Sequence, residues 1–190
     1  MLDMGFEPQI QRIAAQIPPS RQTLFFSATW PREVKSIARQ FAHNAPVHVF
    51  VGGNDDKLVA NKAVDQHVHL VGGLSDKDAR LAALLRDKPP GTKFIIFAST
   101  KRMCDQLSYS LGREFRAVAI HGDKQQRERD WALQSFKSGQ TPVLVATDVA
   151  ARGLHIDNVG VVVNYDLPTA IEDYVCLLYT SPSPRDYCAH

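Results

Sequence analysis

The sequence has few cysteines, no long apolar run and almost no net charge, and each shortage argues against a class of protein. Its three cysteines, Cys104, Cys176 and Cys188, are odd in number and lack C-x-x-C spacing. This argues against a disulfide framework or a metal site, and predicts an intracellular protein without distinguishing nucleus from cytoplasm. The longest apolar runs, such as Val161–Val163, are too short to cross a bilayer. With a net charge of +2, any phosphate binding has to come from local clusters.

Short apolar runs alternate with segments of helical periodicity along most of the chain. Short runs bounded by turn residues predict buried strands, and apolar residues three or four positions apart predict helices. The alternation predicts an α/β fold with a parallel sheet and helices on both faces. The predicted strands cover 23–26, 47–51, 66–71, 94–98, 117–120, 143–146 and 159–163, and the predicted helices cover 6–17, 31–41, 100–112, 125–137 and a segment that starts near 75.

Several residues predict where these helices begin and end. Ser75 and Asp78 have the three-residue spacing of a capping pair, and Thr100 is placed to cap the helix that follows it. Gly112 is a residue type that commonly ends a helix. The polar stretch that begins at Gly52 predicts a linker between two regions.

Polar groups follow four of the predicted strands, where ligands bind in parallel sheets. The groups are Ser27 to Thr29, Ser99 to Lys101, His121 to Lys124 with Gln126 and Arg129, and Thr147 and Asp148 with Arg152 and Gly153. Hydroxyls, helix N-termini and arginines bind phosphate oxygens, and a glycine lets a backbone approach closely. We expect Lys101, Lys124, Arg127, Arg129 and Arg152 to line one edge of the sheet and to bind a nucleic-acid backbone without reading its bases.

Each of these residues also has a structural explanation. His121 is more often a hydrogen-bonded core histidine than a ligand contact, and Thr100 is more often a helix cap. Ser27 and Thr29 could merely lead into a helix, and Asp148 could only orient Arg152 or satisfy a loop. The mixed charges from Lys124 to Asp130 could form one solvated helix face. Taken singly, none of these residues decides between the two interpretations.

Together the motifs resemble those of the DEAD-box RNA helicases. The resemblance covers about residues 1–175 and depends on motifs in a fixed order: MLDMGFEPQI, SAT at 27–29, IIFAST at 95–100, HGDKQQRERD at 121–130, VLVATDVAARGL at 143–154 and VVNYDLPTAIEDYV at 162–175. It implies two RecA-like domains that hold RNA and ATP between them. Residues 1–51 would be the end of the first domain, 52–64 a linker and 65–175 a truncated second domain.

The resemblance also implies roles for individual residues. Ser27 and Thr29 would couple ATP hydrolysis to duplex separation. Three residues would hold RNA phosphates, namely Gly122, Arg129 and Thr147. Asp123 and Gln126 would shape the loop that contains Gly122. The nucleotide cleft would contain Asp148, Arg152, Gly153 and His155.

The chain departs from the family's pattern in several places. It contains neither a G-x-x-x-x-G-K-[ST] phosphate loop nor an Asp-Glu-Ala-Asp quartet, and it has His155 where the family has aspartate. After Val175 the family's last arginine motif is replaced by CLLYTSPSPRDYCAH, and 176–190 is predicted to be a non-native or disordered tail. We therefore expect ATP and Mg²⁺ to act in the full-length parent and this fragment to bind neither.

Three hypotheses stay open from the sequence. The chain is a helicase fragment that is enzymatic by descent, a standalone module that binds RNA or a protein partner through its second domain, or the non-functional product of an incomplete transcript. ATPase activity would favour a catalytic fragment, salt-sensitive RNA binding without ATPase activity would favour the module, and aggregation would favour the transcript product.

Overall fold

The computed structural model describes residues 7–26, 32–42, 46–49, 64–147, 150, 156, 158–168 and 174, with the backbone alone at 32, 33 and 37. The chain divides into two compact units, Met1–Leu58 and Val59–His190. Apart from residue 64, the predicted linker lies outside the described residues, as does the predicted tail. The domain boundaries 1–51, 52–64 and 65–175 stay predictions.

The first unit contains two of the predicted helices, α1 (Glu7–Ala14) and α2 (Arg32–Phe41). Ala38 and Phe41 of α2 are buried, whereas α1 buries no residue. The Thr23 hydroxyl and the Arg21 guanidinium each donate to the Phe41 carbonyl at 3.4 Å. These bonds tie the segment after α1 to the end of α2.

The strands predicted at 23–26, 47–51 and 66–71 are absent from the described residues, so those predictions are wrong there. Phe26 is 92% exposed, which also contradicts the predicted burial of 23–26 on both faces. Leu70, in the strand predicted at 66–71, is 97% exposed. An apolar run predicts a side chain that favours burial, but a strand forms only where a neighbouring strand takes its backbone hydrogen bonds. Residues 50 and 51 lie outside the described part.

The second unit is a four-stranded parallel sheet with helices. Its strands have the order β2-β3-β1-β4, and all three pairings are parallel. This confirms the predicted fold class and the four predicted strands from residue 94 onward. The elements are α3 (Leu74–Asp87), β1 (Lys93–Phe97), α4 (Lys101–Phe115), β2 (Ala117–Ile120), α5 (Gln126–Lys137), β3 (Val143–Ala146) and β4 (Val159–Asn164).

Side chains of the central strands alternate between two hydrophobic cores, one on each face of the sheet. Phe94 and Ile96 pack with residues of α3 and α4, whereas Ile95 and Phe97 pack in the second core, which contains Phe136 of α5. Successive side chains of a strand point to opposite faces, so a strand buried on both faces has the continuous apolar sequence found here. The prediction of helices on both faces is confirmed.

The helix ends agree only in part with the sequence. Thr100 caps α4 as predicted, because its hydroxyl accepts from the Met103 backbone N–H at 3.1 Å. Gly112 does not end α4, which continues to Phe115 and closes on Arg116 in the left-handed conformation, φ 56°. Apolar Phe115 packs against the core that α4 covers, and this contact favours the extra turn.

The prediction that Ser75 and Asp78 form a capping pair at the start of α3 is also wrong. Gly73 is the N-cap and no side chain caps the helix. Asp78 instead accepts a hydrogen bond from the Tyr165 hydroxyl at 2.7 Å. Burial of the ring, followed by the hydrogen bond to Asp78, raises the pKa of Tyr165 above its ordinary value. The tyrosine therefore stays neutral and links α3 to the end of β4.

No helix in the described ranges is long and apolar enough to cross a membrane.

We expect Tyr165→Phe to lower the free energy of unfolding by about 1 kcal/mol, because the buried ring stays but its hydrogen bond to a carboxylate is lost. Urea unfolding of the whole chain, followed by circular dichroism, measures the change. The matched control is Tyr109→Phe, since Tyr109 is 85% exposed and its replacement should change stability by less than about 0.5 kcal/mol. Equal effects of the two substitutions would contradict the role of the Asp78 contact.

Candidate nucleic-acid interface

The residues that follow β2 and β3 lie side by side at the carboxyl edge of the sheet. Ile120 and Ala146, the last residues of these strands, are direct partners in the parallel pairing, and neighbouring strands are about 4.8 Å apart. His121 and Gly122 therefore leave the sheet next to Thr147. Helix α5, which carries Gln126 and Arg129, begins six residues after Ile120, so its first turn starts from this same edge.

Gly122 is exposed and has room around it. A Cβ added there would meet its nearest neighbour, the Lys101 side chain, at an ordinary contact distance of 3.9 Å, and the residue does not have a positive φ. Neither strain nor crowding within the described chain therefore requires glycine at this position. A molecule that approaches the loop backbone from outside would explain it.

The start of α5 holds Arg129 close to Gln126. The Gln125 backbone N–H donates to the Glu128 carboxylate at 2.8 Å in a capping box, which fixes the first turn. Arg129 donates from Nη1 to the Gln126 side-chain oxygen at 3.4 Å. Its buried Nε has no hydrogen-bond partner in the described part of the chain. The guanidinium donates only to Gln126 among the described residues, so its terminal N–H groups keep hydrogen-bonding capacity that an anion could use.

Asp105 of α4 organises the loop after β2. Its Oδ1 lies 3.1 Å from Nε2 of His121 and 2.9 Å from Nζ of Lys124. The hydrogen bond from Lys124, followed by that from His121, holds the pKa of the Asp105 carboxyl below its ordinary value of 3.8 despite some burial. His121 is only 3% exposed, which agrees with its interpretation as a hydrogen-bonded core histidine.

The expected row of cations along this edge is weaker than the sequence suggests. Lys124 is paired with Asp105, and Lys101 is paired with Asp123, both through short ion pairs. These carboxylates offset the charge of two of the five predicted cations. Arg127 lines a cleft beside Trp131, and Lys124 lines the same cleft. Of the predicted cations that are described at the edge itself, Arg129 forms no ion pair with another described residue.

Thr147 is nearly buried, at 7% exposure. Its hydroxyl accepts from the backbone N–H of Ala150 at 3.4 Å, and this bond links Ala150 to the end of β3. The structure thus brings Gly122, Asp123, Gln126, Arg129 and Thr147 to one region, and their roles stay predictions. The remaining candidate residues lie outside the described part: Ser27, Thr29, Asp148, Arg152, Gly153 and His155.

Asp166 is a site residue that the sequence analysis missed. It follows β4 at the same carboxyl edge, where its Oδ2 accepts from the backbone N–H and the hydroxyl of Ser99, each at 2.9 Å. Its Oδ1 forms an ion pair with Lys77 of α3 at 2.7 Å. Inspecting the end of β4 in the same way as the other strand ends would have found it. The carboxylate fixes the turn from which α4 begins.

Whether this chain binds a nucleoside triphosphate with its magnesium ion stays a prediction, because the predicted nucleotide-cleft residues lie outside the described part. The sequence has no phosphate loop, and the described ranges contain no group of three histidine, cysteine, aspartate or glutamate residues that could hold a metal. Anion binding by this edge therefore depends on Arg129, backbone N–H groups and hydroxyls.

Two family models match the chain. The helicase conserved C-terminal domain matches residues 76–177, just over half of the chain, and the DEAD/DEAH box helicase model matches residues 1–37. Among curated relatives, DEAD-box ATP-dependent RNA helicase 40 of Arabidopsis thaliana and the ATP-dependent RNA helicase-like protein DB10 of Nicotiana sylvestris are each 57% identical over 92% of this chain. The matched region spans only 16% and 28% of those relatives.

Solved structures are similar in fold. S. cerevisiae Dbp5 bound to RNA and ADP BeF3 matches with a TM-score of 0.79 at 30% identity, over 90% of this chain and 44% of that one. The yeast DEAD-box splicing factor Prp28 matches with a TM-score of 0.60 at 29% identity, over 95% of this chain and 40% of that one. These similarities support the RecA-like fold implied by the motifs.

We expect Asp105→Asn to weaken the acid sensitivity of the protein. A carboxyl whose pKa is lower in the folded state than in the unfolded state stabilises the fold above about pH 5. This stabilisation is lost as the pH falls through the pKa of the folded state, which for Asp105 lies below 3.8. The variant lacks that contribution at neutral pH, so its free energy of unfolding should fall less between about pH 5 and pH 3. Urea unfolding across this range measures the slope.

The control is Asp87→Asn, because Asp87 is exposed and forms no ion pair with another described residue. Its slope should match that of the unmodified chain. An unchanged slope in Asp105→Asn would show that the contacts with Lys124 and His121 do not stabilise the fold.

Proposed function

The chain belongs to the DEAD-box helicase family, and we propose that it supplies part of the RNA-binding surface of an ATP-dependent RNA helicase. In the full-length protein this surface would act in RNA-stimulated ATP hydrolysis and local duplex unwinding. The chain spans less than a third of the two curated relatives described above, so these activities are proposed for the whole protein. As it stands, the chain binds RNA without hydrolysing ATP.

One observation carries the proposal: the loops with Gly122 and Thr147 leave the carboxyl edge from paired strands, and the helix with Arg129 follows the first of these loops. The pairing of Ile120 with Ala146 brings the two loops together, and α5 starts from the same place. The phosphates of a single strand follow one another at intervals that such adjacent loops can contact in succession. Had the three residues lain on different sides of the unit, the proposal would have no physical basis.

The chemistry of these groups favours the RNA backbone over the bases. Arg129 offers a planar fork for phosphate oxygens, and the Gly122 loop allows a phosphate to approach backbone N–H groups. Thr147 and Gln126 add short polar contacts, and Asp123 holds Lys101 beside them. Phosphate contacts position a nucleic acid without reading its sequence, so binding should be independent of base identity.

The family resemblance supports further roles that the described residues do not test. Ser27 and Thr29 would couple hydrolysis to duplex separation, while Asp148, Arg152, Gly153 and His155 would face the nucleotide. ATP and Mg²⁺ would be held mainly by motifs that this sequence lacks. Phosphoryl transfer requires positioned cations around the transferred group, and without them no turnover is expected.

The second candidate function is a non-catalytic module that binds RNA or a protein partner through the second unit alone. The division of the chain at residue 58 favours it, since Val59–His190 forms a compact unit of its own with two hydrophobic cores. Both candidates use the same RNA-binding edge. They differ in whether the native protein has the phosphate loop upstream.

We expect Arg129→Ala to lower the affinity for single-stranded RNA about tenfold, because one phosphate contact of about 1.4 kcal/mol is lost. The loss should be equal for oligouridylate and oligoadenylate of the same length. The slope of log affinity against log salt concentration should become shallower by about 0.7. Fluorescence anisotropy with labelled oligonucleotides measures both quantities.

Arg113→Ala is the matched control, since Arg113 is an exposed arginine in the last turn of α4, and its affinity should stay within about twofold. A loss that depends on the base would argue against backbone contact by Arg129. An affinity unchanged by Arg129→Ala would remove this residue from the interface.

We expect the 190-residue chain to release no phosphate from ATP above background, with or without RNA, because the cations that phosphoryl transfer requires are missing from its sequence. A coupled assay for inorganic phosphate measures this. A DEAD-box helicase with an intact phosphate loop serves as the positive control. RNA-stimulated turnover by this chain would overturn the proposal that it is catalytically incomplete.

A further inference from the structure

A cleft of about 370 Å³ lies along the edge of the sheet at β2. Its lining includes both Val118 and Ala119, which are successive residues and therefore point to opposite faces of the sheet. Val118 packs towards the core that contains α5, and Ala119 packs towards the core that contains α4. A cleft that contacts both residues has to lie at the edge of the strand. Ser108 of α4 and Trp131 of α5 close it from the two sides.

The strand at the floor of this cleft is an edge strand. β2 is the end member of the order β2-β3-β1-β4, and it pairs only with β3 among the described strands. Alternate residues of an edge strand present N–H and C=O groups outward. Proteins usually protect such an edge with charged residues or proline, but β2 has the sequence Ala-Val-Ala-Ile. Its edge can therefore accept another strand.

The walls of the cleft offer an aromatic face and one available positive charge. Trp131 is 57% exposed. Arg127 is exposed and forms no ion pair or hydrogen bond with another described residue. The other charged lining residues are already engaged, Lys124 with Asp105 and Glu128 in the capping box of α5. The cleft is therefore complementary to an anionic segment with an apolar side chain.

We propose that this cleft binds an extended acidic segment of a partner protein, which adds to β2 as a further strand. An apolar side chain of the segment packs on Trp131, and a carboxylate pairs with Arg127. The four residues of β2 span about 13 Å and accept about four residues of the segment. The cleft shares Lys124 with the predicted RNA-binding edge, but the proposal does not depend on the proposed RNA binding.

Single-stranded RNA is the less favoured occupant. A base could stack on Trp131 and a phosphate could pair with Arg127. Nucleotides, however, cannot continue the ladder of alternating N–H and C=O groups along β2, whereas a peptide backbone does so over its whole length. The floor of the cleft therefore favours a peptide.

The experiment uses the whole chain and a display library of random peptides of about seven residues, long enough to cover β2 with flanks. We expect the enriched peptides to carry a carboxylate close to an aromatic or aliphatic residue. The enriched peptide is then synthesised, and its affinity is measured by fluorescence anisotropy. Amide hydrogen exchange should slow on binding at those residues of β2 whose N–H groups point away from β3, because strand addition protects outward N–H groups.

Two substitutions in the cleft should each weaken peptide binding about tenfold, Arg127→Glu and Trp131→Ala. Their matched controls lie on exposed parts of α4, Arg113→Glu and Tyr109→Ala, and should change affinity less than about twofold. All four residues are exposed, so melting temperatures should not change. Arg127→Gln gives a milder test of the same charge if the reversal disturbs folding.

Several results would overturn the proposal. One is the absence of any enriched peptide, and another is enrichment of peptides that bind Arg127→Glu and Trp131→Ala as well as the unmodified chain. Unprotected amides in β2 would exclude strand addition. Loss of oligouridylate affinity in the cleft variants would identify RNA as the occupant. A concentration-dependent dimer that Arg127→Glu abolishes would identify a second copy of the chain.

Discussion

The parallel pairing of β2 with β3, in which Ile120 lies opposite Ala146, is the constraint from which the candidate interface follows. Parallel strands end at the same edge, so the loops after them are neighbours wherever they lie in the sequence. Gly122 and Thr147 are 25 positions apart in the numbering and adjacent in the fold for this reason. The apolar strand residues hold this register, because a slip of one position would turn each side chain to the other face of the sheet.

Two carboxylates then determine the shape of the edge. Asp105 holds the loop after β2 through His121 and Lys124, and Asp166 holds the turn after β1 through Ser99. Both accept more than one hydrogen bond, so neither is left as a bare negative charge beside a phosphate. Their ion pairs lower the local positive potential, so the RNA binding proposed for this edge would depend on specific geometry rather than on bulk charge.

The sequence predicted the second unit better than the first, and the difference is physical. Runs such as 94–98 and 143–146 find strand neighbours within the described chain, and there local pattern and tertiary context agree. The run at 23–26 has the same apolar character but forms no strand in the described part, because periodicity does not supply neighbours. The grouping of Gly122 with Thr147 followed from one rule about strand ends. The contacts of Asp105 and Asp166 join residues distant in sequence, which no local pattern reveals.

Helix α4 is connected to the strands before and after it by very short segments. Thr100 caps its start three residues after β1, and a single left-handed residue, Arg116, separates its end from β2. Helix α4 has 15 residues and is about 22 Å long. One inserted residue would rotate the following part of the helix by about 100° and swing Leu107 and Leu111 out of the core. Length variation among natural homologues should therefore concentrate in the turn at 88–92 and avoid this helix.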